Sequence, residues 1–292
     1  MFVRCVVRKT ADFQDGPHPV VVTSSNILNL KLMKIPKRFL FAALFGMLSL
    51  QTNSAEAVVA TQPTYLPNLH GKSLTTPVAW GGWGNIVFAG VGGTDPSPYT
   101  TKADGAAVLG VGLGNPYKNI GVQICLISID VSAWQEYSMG LHLFHNLDNA
   151  SAVGVGVENV MITSGGDSGK SYYVVYSHGV QSDSFINKTT GGSKLHYSIG
   201  AGNGRFGDKS PLDISSGKGA HGTYVFSNVA YEVANSFNII TDWNGVNLNA
   251  GVSKTFMYCG YPIAATIGVA DLTHYSGDGP RAVFSVGTGF KL

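Results

Sequence analysis

The chain closes with the stretch Arg281-Ala-Val-Phe-Ser-Val-Gly-Thr-Gly-Phe-Lys-Leu292, in which two kinds of residue alternate. The even-numbered positions are almost all apolar, and the odd-numbered positions are mostly small or charged. Because successive side chains of a β-strand point to opposite faces, this period of two predicts a strand with one apolar and one polar face. The same alternation recurs through most of the chain and therefore decides the fold class.

Counting the alternating segments predicts a fold of about twelve strands. They lie near residues 83–92, 103–114, 118–130, 133–145, 150–162, 170–181, 193–203, 221–233, 235–243, 246–257, 261–273 and 280–292. Each is long enough for a tilted transmembrane strand, which needs roughly 9–11 residues. Turn pairs such as Asn244-Gly245 separate them. The alternation slips near residues 126–127, which predicts a β-bulge there.

The scarcity of charge decides which face of these strands meets solvent. Only 12% of the residues are charged and 38 are glycine, whereas a soluble domain carries about 25% charged residues. A soluble β-sandwich or barrel points its apolar face inward and covers the outside with charge. The polar faces here are instead mostly glycine, serine and asparagine. The composition favours an all-β fold, a closed antiparallel transmembrane up-and-down β-barrel whose apolar face meets lipid.

Aromatic residues near the predicted strand ends support the same interpretation. Their rings prefer the headgroup level of a membrane, so they predict two aromatic belts. They are Trp80, Trp83, Trp134, Tyr172, Tyr173, Phe237, Trp243, Phe256, Tyr258, Tyr261 and Phe290.

The N-terminal part reads as an export signal that begins inside the chain. Met33 is followed by basic residues, a mostly apolar run over 39–50 and the small-x-small sequence Ala55-Glu56-Ala57. A run of twelve residues is shorter than the roughly 20 that a transmembrane helix needs. The predicted organisation is an over-extended start at 1–32, a signal peptide at 33–57 cleaved after Ala57, a periplasmic N-terminal lead-in at 58–81 and a barrel at 82–292.

From about Gly82 to Leu292 the chain resembles bacterial outer-membrane β-barrel proteins. The resemblance rests on the leader, the alternation and the final strand. Such proteins commonly end with an aromatic residue, whereas here Phe290 stands two positions before the last residue and the match is partial. The resemblance implies a Gram-negative outer membrane, contact with its lipids and lipopolysaccharide, and insertion by the barrel-assembly machinery, which reads the C-terminal strand.

Charge and cysteine content exclude some functions of the exported chain. After residue 57 the chain keeps 12 Lys and Arg against 14 Asp and Glu, a net charge of −2, so nucleic acid is not an expected partner. Cys125 and Cys259 remain, which allows a single disulfide but not a disulfide scaffold.

The inward polar face predicts a passage through the barrel. About twelve strands place the bore between filled eight-stranded barrels and open porins. Both signs of charge occur on this face, which disfavours strong ion selectivity, and its many glycines either widen the bore or let the strands bend. The sequence thus predicts a narrow, weakly selective channel for passive diffusion of small polar solutes, with no cofactor and no metal. The predicted lumen-lining residues are Gln123, Glu136, Ser138, His142, Glu158, His196, Ser198, Asn247, Asn249, Ser253, Arg281 and Lys291.

Two other functions stay open at this stage. His196 and Ser198 share a strand face, the one spacing that suggests a catalytic pair, so the barrel is alternatively a lipid-modifying hydrolase of the lipid A deacylase or phospholipase type. The predicted phase turns both side chains inward, which disfavours catalysis on membrane lipid. A third possibility is a structural or adhesive barrel that acts through the predicted outer loops 93–102 and 204–220.

Overall fold

The computed structural model describes residues 71–130, 135–163 and 169–292. The predicted over-extended start, the signal peptide with its cleavage after Ala57, and residues 58–70 of the predicted lead-in lie outside the described residues. No helix in the described ranges is long and apolar enough to cross a membrane.

Twelve antiparallel strands form one closed barrel, in which each strand pairs with its neighbours in sequence and β1 pairs with β12. This confirms the predicted all-β, up-and-down barrel and its number of strands. The strands are β1 Ile86–Asp95, β2 Asp104–Gly114, β3 Gly121–Asp130, β4 Gln135–Leu147, β5 Ser151–Met161, β6 Ser171–Gly179, β7 Leu195–Gly202, β8 Val225–Ala234, β9 Phe237–Trp243, β10 Leu248–Tyr258, β11 Tyr261–Ala270 and β12 Arg281–Lys291.

The two ends of the barrel carry different connections. Ile86 pairs with Lys291, so β1 begins and β12 ends at one end, which we call the terminal end. The opposite loop end carries the connections 96–103, 203–224, 244–247 and 271–280. The longest of these contains a 3-10 turn, Gly204–Phe206, and one short helix, α1, Pro211–Ser215.

The apolar face of the strands points outward, as the alternation predicts. In β12, Phe284 is 49% exposed whereas its neighbours Val283 and Ser285 are buried. Every strand exposes at least one large apolar side chain. Examples in chain order are Val91, Leu109, Leu126, Met139, Val155, Val174, Ile199, Val229, Ile239, Leu248, Ile267 and Phe284. This arrangement is the reverse of a soluble barrel, which encloses its apolar face.

The predicted bulge near residues 126–127 is wrong. β3 pairs continuously with both neighbours through these positions, and Ile127 points inward into an apolar cluster with Phe88 and Val108. The slip in the pattern is therefore an apolar residue on the inner face. The true register shifts lie in the β4–β5 and β8–β9 pairings. The first lies opposite Glu158 and Asn159 and leaves both of these consecutive side chains buried.

Candidate functional site

The barrel interior holds part of the chain itself, residues 71–82, which we call the inner segment. All twelve of its residues are buried. It starts beside Ser253, turns back at 73–76 below the loop end, and returns to Gln123 near the start of β3. The prediction that residues up to 81 form a periplasmic lead-in is therefore wrong for 71–81, because these residues occupy the barrel interior.

Asp242 of β9 holds the turn of the inner segment. Its carboxylate accepts hydrogen bonds from the backbone N–H groups of Leu74 (3.0 Å), Thr75 (2.6 Å) and Thr76 (3.3 Å). The hydroxyls of Ser73 (3.2 Å) and Thr75 (3.1 Å) also donate to it. Hydrogen bonds to an ionised acceptor are stronger than neutral ones. One wall carboxylate therefore orders the whole turn.

Polar groups of β9 and of five other strands bind the rest of the inner segment. The Lys72 ammonium, which is buried, donates to the Asn238 side chain at 2.5 Å. The remaining contacts join Ala79 N to Ser177 Oγ (2.8 Å), His142 Nε2 to Ala79 O (3.1 Å), Gly82 N to Gln123 Oε1 (2.7 Å), Asn228 Nδ2 to Thr76 Oγ1 (3.0 Å), Asn249 Nδ2 to Thr75 Oγ1 (3.0 Å) and Ser253 Oγ to Gly71 O (2.8 Å). Side chains on the inner face of the barrel therefore form hydrogen bonds with the segment from several sides.

Inward glycines provide the space that the inner segment occupies. A Cβ atom on Gly112 would lie 2.2 Å from the carbonyl carbon of Gly82, and one on Gly268 would lie 2.8 Å from the Leu74 side chain. Trp80 is 1% exposed and meets His196 edge to face at 5.7 Å. Its predicted place in an aromatic belt is wrong. The glycines thus admit the segment, and the bore they leave is filled.

A buried ion pair connects the loop end to the inner segment. Arg205, in the β7–β8 connection, donates through Nε to Glu158 Oε2 at 2.5 Å and through Nη2 to Oε1 at 3.2 Å. The two side chains are 4% and 0% exposed. The remaining Nη1 donates to Thr75 O at 2.9 Å. The guanidinium also lies over the Phe206 ring. A single arginine therefore touches wall, loop and inner segment.

Asp213, in α1, ties three loop-end connections together. It accepts hydrogen bonds from Tyr99 Oη (2.7 Å), the Gly277 backbone N–H (2.6 Å) and Ser210 Oγ (2.7 Å). Burial of this carboxyl raises its pKa, but the hydrogen bonds from Tyr99, Ser210 and Gly277 outweigh burial and leave the pKa below its ordinary value. Burial and the contact with Asp213 raise the pKa of Tyr99 to about 12. We call this group the loop tie.

Replacing Asp213 with asparagine is expected to loosen the loop tie. A hydrogen bond to a charged group contributes about 1.5–3 kcal/mol, so we expect trypsin to cleave at Lys209 or Lys218 about tenfold faster. Because the folded pKa lies below the unfolded one, the stabilisation is present above the ordinary value of 3.8 and is lost as pH falls through the folded pKa. Cleavage by pepsin on descending pH measures this loss. Asp183→Asn, at the terminal end, is the matched control, and equal rates in both variants would contradict the role of Asp213.

Nine of the twelve predicted lumen-lining residues are buried in the barrel. They are Gln123, Ser138, His142, Glu158, His196, Ser198, Asn247, Asn249 and Ser253. Glu136 and Arg281 are half-buried near the loop end, where Arg281 pairs with Asp271, and Lys291 is exposed at the terminal end. The structure therefore brings most of the predicted set together, around the inner segment rather than around an open bore.

The structure does not arrange His196 and Ser198 as a catalytic pair. Ser198 Oγ contacts Ser177 Oγ at 2.7 Å. Within the described ranges, neither ring nitrogen of His196 has a hydrogen-bond partner.

Cys125 is a buried free thiol, so the disulfide with Cys259 that the sequence allows does not form. Across the same ranges, no three His, Cys, Asp or Glu side chains are arranged to hold a metal ion.

Several residues that hold the inner segment are missing from the predicted set. Asn238 and Asp242 alternate with Ile239 and Thr241 in β9, so the period of two already contained the signal for them. Lys72 and Arg205 lie outside the strands, and no periodicity points to them.

Comparison with models of known protein families gives no match, and comparison with curated proteins gives none either.

Proposed function

We propose that the chain is a bacterial outer-membrane β-barrel that forms a narrow, weakly selective channel for small polar solutes, closed by its inner segment. The observation that carries the proposal is a polar inner wall whose bore is filled by residues 71–82 of the same chain. The membrane placement, the passage and its closure are supported by different parts of the molecule.

The outer surface supports a place in a membrane. Between the ends of the described strands, the outward face carries no Asp, Glu, Lys or Arg except Lys254, whose ammonium donates to the carbonyl of Asn235 near the terminal end. Exposed aromatic residues lie at both ends. Tyr117, Tyr258, Tyr261 and Phe290 belong to the terminal end, and Tyr172 and Tyr275 to the loop end. An apolar band between two aromatic belts is typical of transmembrane barrels.

This placement brings in the partners that the sequence suggests. Lipids and lipopolysaccharide of the outer membrane would surround the apolar band, and the barrel-assembly machinery would read β12. The signal peptide predicted at 33–57 would route the chain to that membrane. With both termini in the periplasm, the loop end would face outward.

The character of the inner wall supports passage of small polar solutes. The wall offers amide, hydroxyl and imidazole groups that now bind the inner segment, and these groups would bind solutes once the segment leaves. Charges of both signs face the interior, with Glu158, Glu232 and Asp242 against Lys72 and Arg205. This balance disfavours strong selectivity for ions of one sign. The passage needs no cofactor.

The attachment of the inner segment supports a gate. Gly71 lies beside Ser253 and Gly82 beside Gln123, and the turn between them lies below the loop end. Apart from the contacts of Lys72, Asp242 and Arg205, which involve charged groups, the hydrogen bonds of the segment join neutral groups, and water replaces each of these at a net cost of about 0.5–1.5 kcal/mol. Once the contacts with these charged groups break, the segment would withdraw toward the terminal end without unfolding the strands.

Conductance of single barrels tests the proposal. In planar bilayers we expect the full chain to stay mostly closed, because the inner segment fills the bore. A variant that lacks residues 71–82 is expected to conduct steadily. Heat-dependent gel mobility verifies that both variants are folded. If the full chain and the variant are both folded and neither conducts, the result would contradict the channel and favour a structural or adhesive role.

A further inference from the structure

A polar cluster lies on the outward face of β5 and β6, near the terminal end. Ser151 and His178 are direct cross-strand partners. Ser151 Oγ lies 2.8 Å from His178 Nδ1 and 3.0 Å from the Tyr176 hydroxyl. Ser151 lies on the same outward-pointing side of β5 as Val153 and Val155, which are 41% and 47% exposed, and is itself 7% exposed. The cluster therefore faces away from the bore, unlike His196 and Ser198.

An apolar groove of about 520 Å³ begins beside this cluster. Its sides include Val153, Val155, Val174 and Ile199, and Tyr176 of the polar cluster borders it. Its floor follows the backbone at glycines of β5 and β7. The groove belongs to the apolar band that we place in lipid, and hydrocarbon is the chemistry that fits it. Its occupant is therefore an acyl chain of a membrane lipid.

We propose that Ser151 and His178 are a nucleophile and its general base, which hydrolyse the acyl ester of a glycerophospholipid seated in this groove. A hydroxyl within about 2.6–3.2 Å of an imidazole nitrogen is the arrangement that activates serine. The location fits the substrate, because the ester lies between the acyl chain and the headgroup. This inference rests on the proposed membrane placement and is independent of the channel.

The reaction balances with water as the only co-reactant. Ser151 Oγ attacks the ester carbonyl carbon while its proton passes to His178 Nδ1. The tetrahedral intermediate then breaks its bond to the lysophospholipid oxygen, which takes that proton and leaves as an alcohol. Water attacks the acyl-serine, gives a proton to His178, and releases a fatty acid as Ser151 recovers its proton.

Two tyrosines support the pair in different ways. The Tyr176 hydroxyl lies close enough to Ser151 Oγ to donate a hydrogen bond to the developing oxyanion. The Tyr197 ring packs against the His178 ring with a centroid separation of 5.5 Å. Tyr197 acts through His178 and is a positioning residue.

Labelling with a fluorophosphonate tests the nucleophile. The refolded full chain, inserted in phosphatidylethanolamine vesicles, is expected to be labelled at Ser151, as located by mass spectrometry. Ser151→Ala is expected to abolish labelling, and His178→Asn to slow it by about 100-fold or more. Ser198→Ala is the matched control and is expected to label normally. An inserted barrel without label at Ser151 would overturn the proposal.

Release of fatty acid tests the substrate. The same vesicles are expected to yield free fatty acid with the full chain and with Ser198→Ala, and none with Ser151→Ala. Vesicles of an ether-linked analogue are expected to stay intact. Labelling without release of fatty acid rejects phospholipid hydrolysis. A chain that does not insert, as judged by gel mobility, removes the membrane placement and this inference together, whereas an inserted but inert barrel leaves the channel standing.

Discussion

Replacing Asp242 by alanine is expected to free the inner segment and open the barrel. Three backbone N–H groups and two hydroxyls of the segment lose their shared acceptor in this variant. Each hydrogen bond to a carboxylate contributes about 1.5–3 kcal/mol, so losing this acceptor outweighs most single contacts of the segment. We expect vesicles with the variant to swell in small sugars at least tenfold faster than vesicles with the original chain.

Asp208→Ala is the matched control for this effect, because it removes a largely exposed carboxylate in the β7–β8 connection. It is expected to leave swelling unchanged. Asp242→Asn is informative as well, since an amide keeps one acceptor oxygen but turns an N–H₂ group toward the donors of the turn. We expect an intermediate swelling rate. A closed barrel in Asp242→Ala, with unchanged gel mobility, would show that the remaining hydrogen bonds and the apolar contacts of Leu74 and Trp80 hold the segment without Asp242.

Breaking the buried pair of Glu158 and Arg205 is expected to have the largest effect on stability. In Glu158→Ala the guanidinium stays buried without its carboxylate, and such a change costs about 3–5 kcal/mol. The measurement is the free energy of unfolding from reversible urea titration in vesicles. Arg205→Met is expected to cost a similar amount, because it leaves the Glu158 carboxylate buried without its partner.

The double variant Glu158→Leu with Arg205→Met separates the charge from its packing. A buried ion pair replaced by apolar residues of similar volume is often neutral in stability. We therefore expect the free energy of unfolding of the double variant to be close to that of the original chain and well above that of either single variant. If the free energies of unfolding lost in the two single variants simply add in the double variant, the two side chains contribute by packing rather than by their mutual charge. The contact of Arg205 with Thr75 then accounts for more of the effect of Arg205.

Arg205 also connects the loop end with the inner segment through direct contacts. Its connection carries α1, whose Asp213 binds Tyr99 and Gly277 of two neighbouring loops. The same connection places the guanidinium on Thr75 O, within the turn that Asp242 holds. The β7–β8 connection therefore contacts both the loop tie and the turn of the inner segment.

The sequence alone determined the wall of this barrel. The strand number follows from the period of two, because each side chain in a strand can point only in or out, and the outward apolar face follows from the scarcity of charge on the polar faces. The alternation in β12 predicted that Phe284 would be exposed and Ser285 buried, and the structure agrees. The exception at Ile127 misled the prediction because one inward apolar residue imitates a shift in register.

Only the tertiary structure decided what the wall encloses. Residues 71–82 have no strand period, and their Thr and Pro content reads as a linker, yet they fill the bore because Gly112 and Gly268 leave room and Asp242 provides the acceptor. The pair of Ser151 and His178 is similarly invisible in sequence. Their residues are 27 positions apart, and the β5–β6 register alone makes them neighbours. Periodicity reports which way a side chain points, whereas partners across a barrel depend on closure and register.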